Sequence, residues 1–186
     1  VWSARWTRKA VLRVALVVAF AAGFGLAIAW QKAASPPGAQ TYFERAVAFV
    51  RDETKGIVPN KGPEDPQFRY YAALSAMNYV QANLSSARYS YFARTRKDDF
   101  RKPGPTEACL AEGIGICGNH IRAFLDIMEA LAVPARSVQL YFEDTRGKRQ
   151  SHIVAEVEWG DRWHMFDVTW SFVAFGEDSQ PLSYAE

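Results

Sequence analysis

The chain has 186 residues, 49% of them hydrophobic, 23% charged and 14% aromatic, with two cysteines and a formal net charge of +2. That composition excludes a disordered tail, a collagen-like repeat and a disulfide-stapled miniprotein. All 20 acidic residues lie after position 31, whereas Arg5, Arg8, Lys9 and Arg13 lie before it, so most of the chain is slightly acidic and carries no nucleic-acid-binding footprint.

Residues 14–30, VALVVAFAAGFGLAIAW, hold no charge and follow those four basic residues. A spanning helix takes roughly 20 apolar residues, about 17 at the short end. The positive-inside bias keeps 1–13 as a cytoplasmic basic segment and delivers everything after Trp30 across the membrane. The run predicts one transmembrane helix at 14–30, an uncleaved signal anchor that leaves the remainder extracytoplasmic, or periplasmic. A cleaved secretory signal is the alternative, because Ala27-Ile28-Ala29 is a small-x-small pattern. Residues 31–40, QKAASPPGAQ, have the composition of a linker. A single domain is expected over 41–186.

Within it, Phe43, Val47 and Val50 recur at helical spacing over 42–52, and Gly56, Pro59 and Pro63 end that helix. A second helix is predicted over 67–87, with Tyr70, Leu74, Met77 and Leu84 on its buried side and Val80 at the margin. Residues 93–105, ARTRKDDFRKPGP, read as a charged loop. After a glycine-rich run at 113–118, Ile121, Phe124, Leu125, Met128 and Leu131 mark one face of a helix over 119–131, with Cys117 at its start and Pro134 beyond its end. Residues 137–142 and 152–159 alternate as strands, and Gly160-Asp161 turns the chain into a third over 162–169. Helices first, then a helix packed on an antiparallel meander, is an α+β order.

The Gly160-Asp161 turn pairs Trp159 with Arg162, and carrying that register outward puts Val154 opposite Asp167 and His152 opposite Thr169. His152 and Asp167 then share one face as diagonal neighbours, or become direct partners if the turn slips to Trp159-Gly160, while Ile153, Ala155, Val157, Phe166 and Val168 line the other as a core surface. A thiol at a helix amino terminus meets unpaired N–H groups and the positive end of the dipole, both of which favour the nucleophilic thiolate. Acyl chemistry needs a nucleophile, a base beside it and a group orienting the base; Cys117, His152 and Asp167 are the candidates for those roles.

The stretches GICGNHIRAFLDIMEALAVPAR (115–136), SHIVAEVEW (151–159) and DRWHMFDVTW (161–170) together resemble the transglutaminase-like superfamily, which has a papain-like fold. The resemblance implies nucleophile Cys117, base His152 and orienting Asp167, with Trp163 and Thr169 as motif companions and Gly118 and Asn119 beside the nucleophile. Two positions depart from the family pattern. Ala132 stands where the family often has glycine, and Ile153 follows the histidine where an aromatic residue is common. The resemblance implies a membrane-tethered enzyme that attacks amide or peptide carbonyls through a thioester, with water or an amine as acceptor and a protein or peptide as substrate. The chemistry requires no cofactor and no metal, and the sequence holds no clustered oxygen-ligand loop for calcium. The competing reading is a catalytically silent domain that binds other envelope proteins.

Four further points complete the expectations. Cys109 and Cys117 also read as a disulfide in an oxidising compartment, which would abolish the nucleophile. His120 either lines the pocket and adds positive potential near the thiol or is a partly exposed helix residue. His164 points away from His152. For an oxyanion, the Cys117 backbone N–H is the natural donor, with Asn119 or Gln139 as a second; Ala111 stands where papain-like peptidases commonly have glutamine. Nineteen residues follow Asp167, so an incomplete carboxyl end is part of the reading.

Overall fold

The computed structural model describes residues 40–86, 105–177 and 179–185. The expected transmembrane segment at 14–30 and nearly all of the charged loop at 93–105 lie outside those residues. Among the described residues, no helix is long and apolar enough to cross a membrane.

Helix α1 (Tyr42–Ile57) starts at a capping box, in which the Glu44 N–H donates to Thr41 Oγ1 at 3.0 Å and the Thr41 N–H to Glu44 Oε2 at 2.8 Å. It runs five residues past its expected end. Gly56 sits on an open side of the last turn, and buried Thr54 satisfies its hydroxyl by donating to the Val50 carbonyl. Helix α2 (Pro66–Asn83) has proline in its first turn and Asp65 as N-cap, accepting from the Gln67 N–H at 2.8 Å. Its buried surface is wider than one stripe. Val80 lies at the centre of the core rather than the margin, and Ala72, Ala73 and Ala76 are fully buried, while Tyr70 and Leu74 only pack against the core's edge. Three small residues let α1, α4 and the sheet approach α2 from different sides, which the 3.6-residue pattern of large side chains does not show.

After α2 the two-residue strand β1 (Ser85–Ser86) pairs in parallel with β2 (Ile114–Gly115). A short helix α3 (Thr106–Glu112), absent from the sequence reading, precedes β2 and ends on Gly113 in the left-handed region. Helix α4 (Cys117–Ala130) buries Ile121, Phe124, Ile127 and Met128. It closes in a Schellman motif, with the Val133 N–H on the Met128 carbonyl and the Ala132 N–H on the Glu129 carbonyl, each 2.9 Å. Ala132 occupies the left-handed position of that motif at φ 56°.

The sheet has order β3-β4-β5, all antiparallel, from β3 (Ala135–Glu143), β4 (Arg149–Trp159) and β5 (Arg162–Phe166). Gly160 and Asp161 both have positive φ, as a two-residue hairpin turn requires, and Trp159 pairs with Arg162 in the expected register. Pairing stops at Ala155 opposite Phe166. The expected continuation to Thr169 fails because Asp167 instead bridges Phe172, exchanging two backbone hydrogen bonds with it. The carboxyl segment then returns along β5, where the Met165 N–H donates to the Leu182 carbonyl at 2.7 Å.

One face of the sheet packs on α4, with Phe124 stacked on Phe166 at 6.2 Å between ring centroids. The other face is also buried beyond Ile153. Val154 and Glu156 are 1% and 2% exposed, and Glu156 accepts from Arg136 Nε and Nη2 through one oxygen and from the Tyr184 N–H through the other. The single buried apolar row expected on β4 is therefore two buried faces, one of them built around an ion pair.

Candidate active site

Cys117 is the first residue of α4. The preceding turn is held by half a capping box, because Ile116 has no side-chain acceptor but its N–H donates to Asn119 Oδ1 at 3.0 Å. The N–H groups of Cys117 and Gly118 precede the intrahelical ladder, whose first bonds run from the Asn119 and His120 N–H groups to the Ile116 carbonyl. Among the described residues, a side chain built on Gly118 would meet nothing within 4 Å, so they leave the space beside the cysteine open. Gly115 is the opposite case. A Cβ there would lie 2.8 Å from the Asn119 Cβ, which makes glycine a requirement of the turn into α4.

On the sheet, His152 Nε2 lies 2.8 Å from Asp167 Oδ2, and both side chains are largely shielded from solvent. A carboxylate only accepts, so Nε2 carries the proton and the neutral ring keeps its lone pair on Nδ1. The other carboxylate oxygen, Oδ1, accepts from the backbone N–H groups of Thr169 and Trp170 at 3.1 Å each. The Trp170 ring centroid lies 6.5 Å from that of His152. Gln139 reaches the same residue from β3 but binds its backbone, donating to the His152 carbonyl.

The sequence-derived residues thus fall into three groups. His152, Asp167 and Thr169 form one hydrogen-bonded unit. Cys117 and Gly118 form the open helix start; among the described residues no hydrogen bond joins Cys117 to His152. Trp163 and Asn119 lie elsewhere. Trp163 pairs across the strands with Glu158 near the turn, about 13 Å along β5 from Asp167, under the Arg136 guanidinium at 4.0 Å. Asn119 is 5% exposed, with Oδ1 on the Ile116 N–H and Nδ2 on Cys109 Sγ at 3.1 Å. Each amide has one N–H engaged, that of Asn119 on Cys109 and that of Gln139 on the His152 carbonyl, while the backbone N–H groups at the start of α4 have no intrahelical partner.

No disulfide joins the two cysteines; Cys109 is buried and Cys117 partly exposed. His120 is 1% exposed, not a partly exposed helix residue, and its ring nitrogens each lie 2.9 Å from a carbonyl oxygen, of Ile116 and of Leu84. His164 is buried on the core face, stacked on Trp159 at 3.7 Å. Two residues of the site have no role in the expectations above. Trp170 is the last residue of the DRWHMFDVTW stretch, and Gln81 of α2 donates from Nε2 to the carbonyls of Val168, at 2.7 Å, and Thr169.

Comparison with known proteins adds the last observation. The sequence model of the transglutaminase-like superfamily matches residues 58–168, more than half of the chain and a stretch that includes Cys117, His152 and Asp167. Among solved structures, one described as the crystal structure of a TGase aligns over 86% of this chain and 41% of its own, at 13% identity and a TM-score of 0.43. The chain spans about two fifths of that protein's length. No curated protein matches the chain.

Proposed function

The chain belongs to the transglutaminase-like superfamily, and from that membership we propose that it is a cysteine enzyme that attacks amide or peptide carbonyls through Cys117. The observation that carries the reading is the His152–Asp167 pair at 2.8 Å, its carboxylate fully engaged, in the same matched segment as a cysteine at an open helix start. The Cys117 thiolate adds to the carbonyl carbon, and the first N–H groups of α4 receive the developing oxyanion. His152 passes the thiol's proton to the leaving amine as the C–N bond breaks and a thioester remains. Water then releases an acid, or a second amine forms a new amide; in both cases His152 Nδ1 takes a proton from the acceptor. Asp167 keeps the imidazole in the tautomer this needs.

The substrate class this supports is a protein or peptide. The uncharged run at 14–30 with basic residues only before it supports a tether that holds the domain outside the cytoplasm.

Alkylation of Cys117 by iodoacetamide as a function of pH tests the reading. Labelling of Cys117 well below the ~8.5 at which a free thiol ionises, with Cys109 unlabelled and the reaction slowed in His152→Ala, is the expected result. Equal slow labelling of both cysteines, unchanged in the variant, would overturn it and favour the silent binding module.

A further inference from the structure

We propose that the last turn of α2 is the frame that sets the nucleophile end of the site against the base end, with Gln81 and His120 as positioning residues. The inference rests on the reading of Cys117, His152 and Asp167 given above and adds to it how their separation is fixed.

At the base end, Gln81 Nε2 donates to the Val168 and Thr169 carbonyls. Both partners only accept, so the amide's two N–H groups match them one to one. Those carbonyls belong to the turn whose Thr169 and Trp170 N–H groups bind Asp167 Oδ1. A shift of that turn would carry the carboxylate with it, and the His152 ring would follow through Oδ2.

At the nucleophile end, α2 stops at Asn83, and the Leu84 carbonyl meets His120 Nε2 at 2.9 Å. The opposite ring nitrogen lies at the same distance from the Ile116 carbonyl, on the residue immediately before Cys117. A neutral imidazole carries one N–H and a carbonyl oxygen only accepts, so the buried ring donates to one of these carbonyls and packs against the other, wedged between the entry to α4 and the exit from α2. Gln81 lies in the last turn of α2, and Leu84 is the C-cap that follows it, in extended conformation at φ −119° and ψ 105°. The two attachments therefore leave the carboxyl end of α2 within three residues of each other. Neither Gln81 nor His120 meets substrate in this arrangement; each acts through the residue it holds.

The test compares Gln81→Met and His120→Leu in the full chain. It uses the ¹⁵N–¹H NMR signal of His152 Nε2–H, the alkylation rate of Cys117 and thermal unfolding. Gln81→Met is expected to broaden or abolish the His152 Nε2–H signal and to slow alkylation about tenfold. His120→Leu is expected to slow alkylation by a similar factor while leaving that signal in place. If Gln81→Met fails to fold, Gln81→Ser, which adds no bulk to α2, carries the same test. A lower thermal midpoint with the His152 signal and the alkylation rate unchanged in both variants would reduce the two residues to fold stabilisers and overturn the proposal. The function itself is read separately: if His152→Ala in the parent chain leaves Cys117 alkylation unchanged, the enzymatic reading fails. The His152 signal then still reports whether Gln81 sets the Asp167 turn.

Discussion

On the sheet side of the candidate site Asp167 accepts three hydrogen bonds, one of them from His152, whereas on the helix side Cys117 Sγ makes none among the described residues. The sheet side is assembled from β4, the turn after β5 and a helix some 87 residues earlier in the chain. The helix side is more nearly local, built from a glycine at 115, a half capping box and the first turn of α4, with the His120 ring against the Leu84 carbonyl as its long-range contact. The difference follows from what each group has to do. An imidazole turns about two bonds and offers either nitrogen, so its direction must be imposed before substrate arrives. A thiolate must keep its lone pairs free for carbon, and what it needs is a fixed helix end and open space.

The largest effects should come from breaking each side outright. Cys117→Ala is expected to abolish acyl-enzyme formation, read by the mass of the trapped intermediate, and His152→Ala to slow Cys117 alkylation about 10²-fold. Asp167→Asn keeps the shape but lets an amide donate to the ring, favouring the wrong tautomer; its alkylation rate should fall nearly as far as that of His152→Ala, with little change in thermal midpoint.

Stability variants sharpen the comparison by loosening one side at a time. Arg136→Met leaves Glu156 buried with only the Tyr184 N–H as partner and, because the Arg136 side chain is half exposed and the pair partly screened, should cost about 1–2 kcal/mol in urea unfolding. Acid should act on the frame through Asp65, whose carboxyl is held below its ordinary 3.8 chiefly by its hydrogen bond with Lys61 and also by the Gln67 N–H. A depressed value in the fold means that this contribution is present above pH 3.8 and is lost as pH falls through the lower, folded value. Urea titrations from neutral pH downward should therefore show a smaller acid loss in Asp65→Asn than in the parent. The smallest expected effect has the opposite sign. Ala132→Gly relieves a left-handed alanine at the end of α4 and should stabilise the chain by about 1 kcal/mol, with alkylation unchanged.

Much of this arrangement is legible in the residues because periodicity and turn chemistry are local. Most of the face of α4, with Ile127 in place of Leu125, and the hairpin register from Gly160-Asp161 follow from spacing, and the register already brings His152 to Asp167. Other features depend on single contacts between distant segments. The Asp167–Phe172 bridge ends β5 three residues early, and nothing in an alternating run announces such a bridge. Gln81 looks like any polar residue beside a buried stripe, and His120 and Asn119 look like first-turn polar residues until Leu84 and Cys109 close over them. Helix α3 spans seven residues, too few for a helical period to be told from chance.

The parallel pairing of Ser85 and Ser86 with Ile114 and Gly115 fixes both ends of the intervening chain against the entry to α4. With the ends pinned, closure entropy grows only with the logarithm of length, and doubling the number of residues between them costs about 0.6 kcal/mol. Length can therefore vary between Ser86 and Thr106 at small entropic cost, whereas α3 itself is not replaceable in the same way: Cys109 and Leu110 are buried, and Cys109 Sγ accepts from Asn119 in the first turn of the helix that carries Cys117.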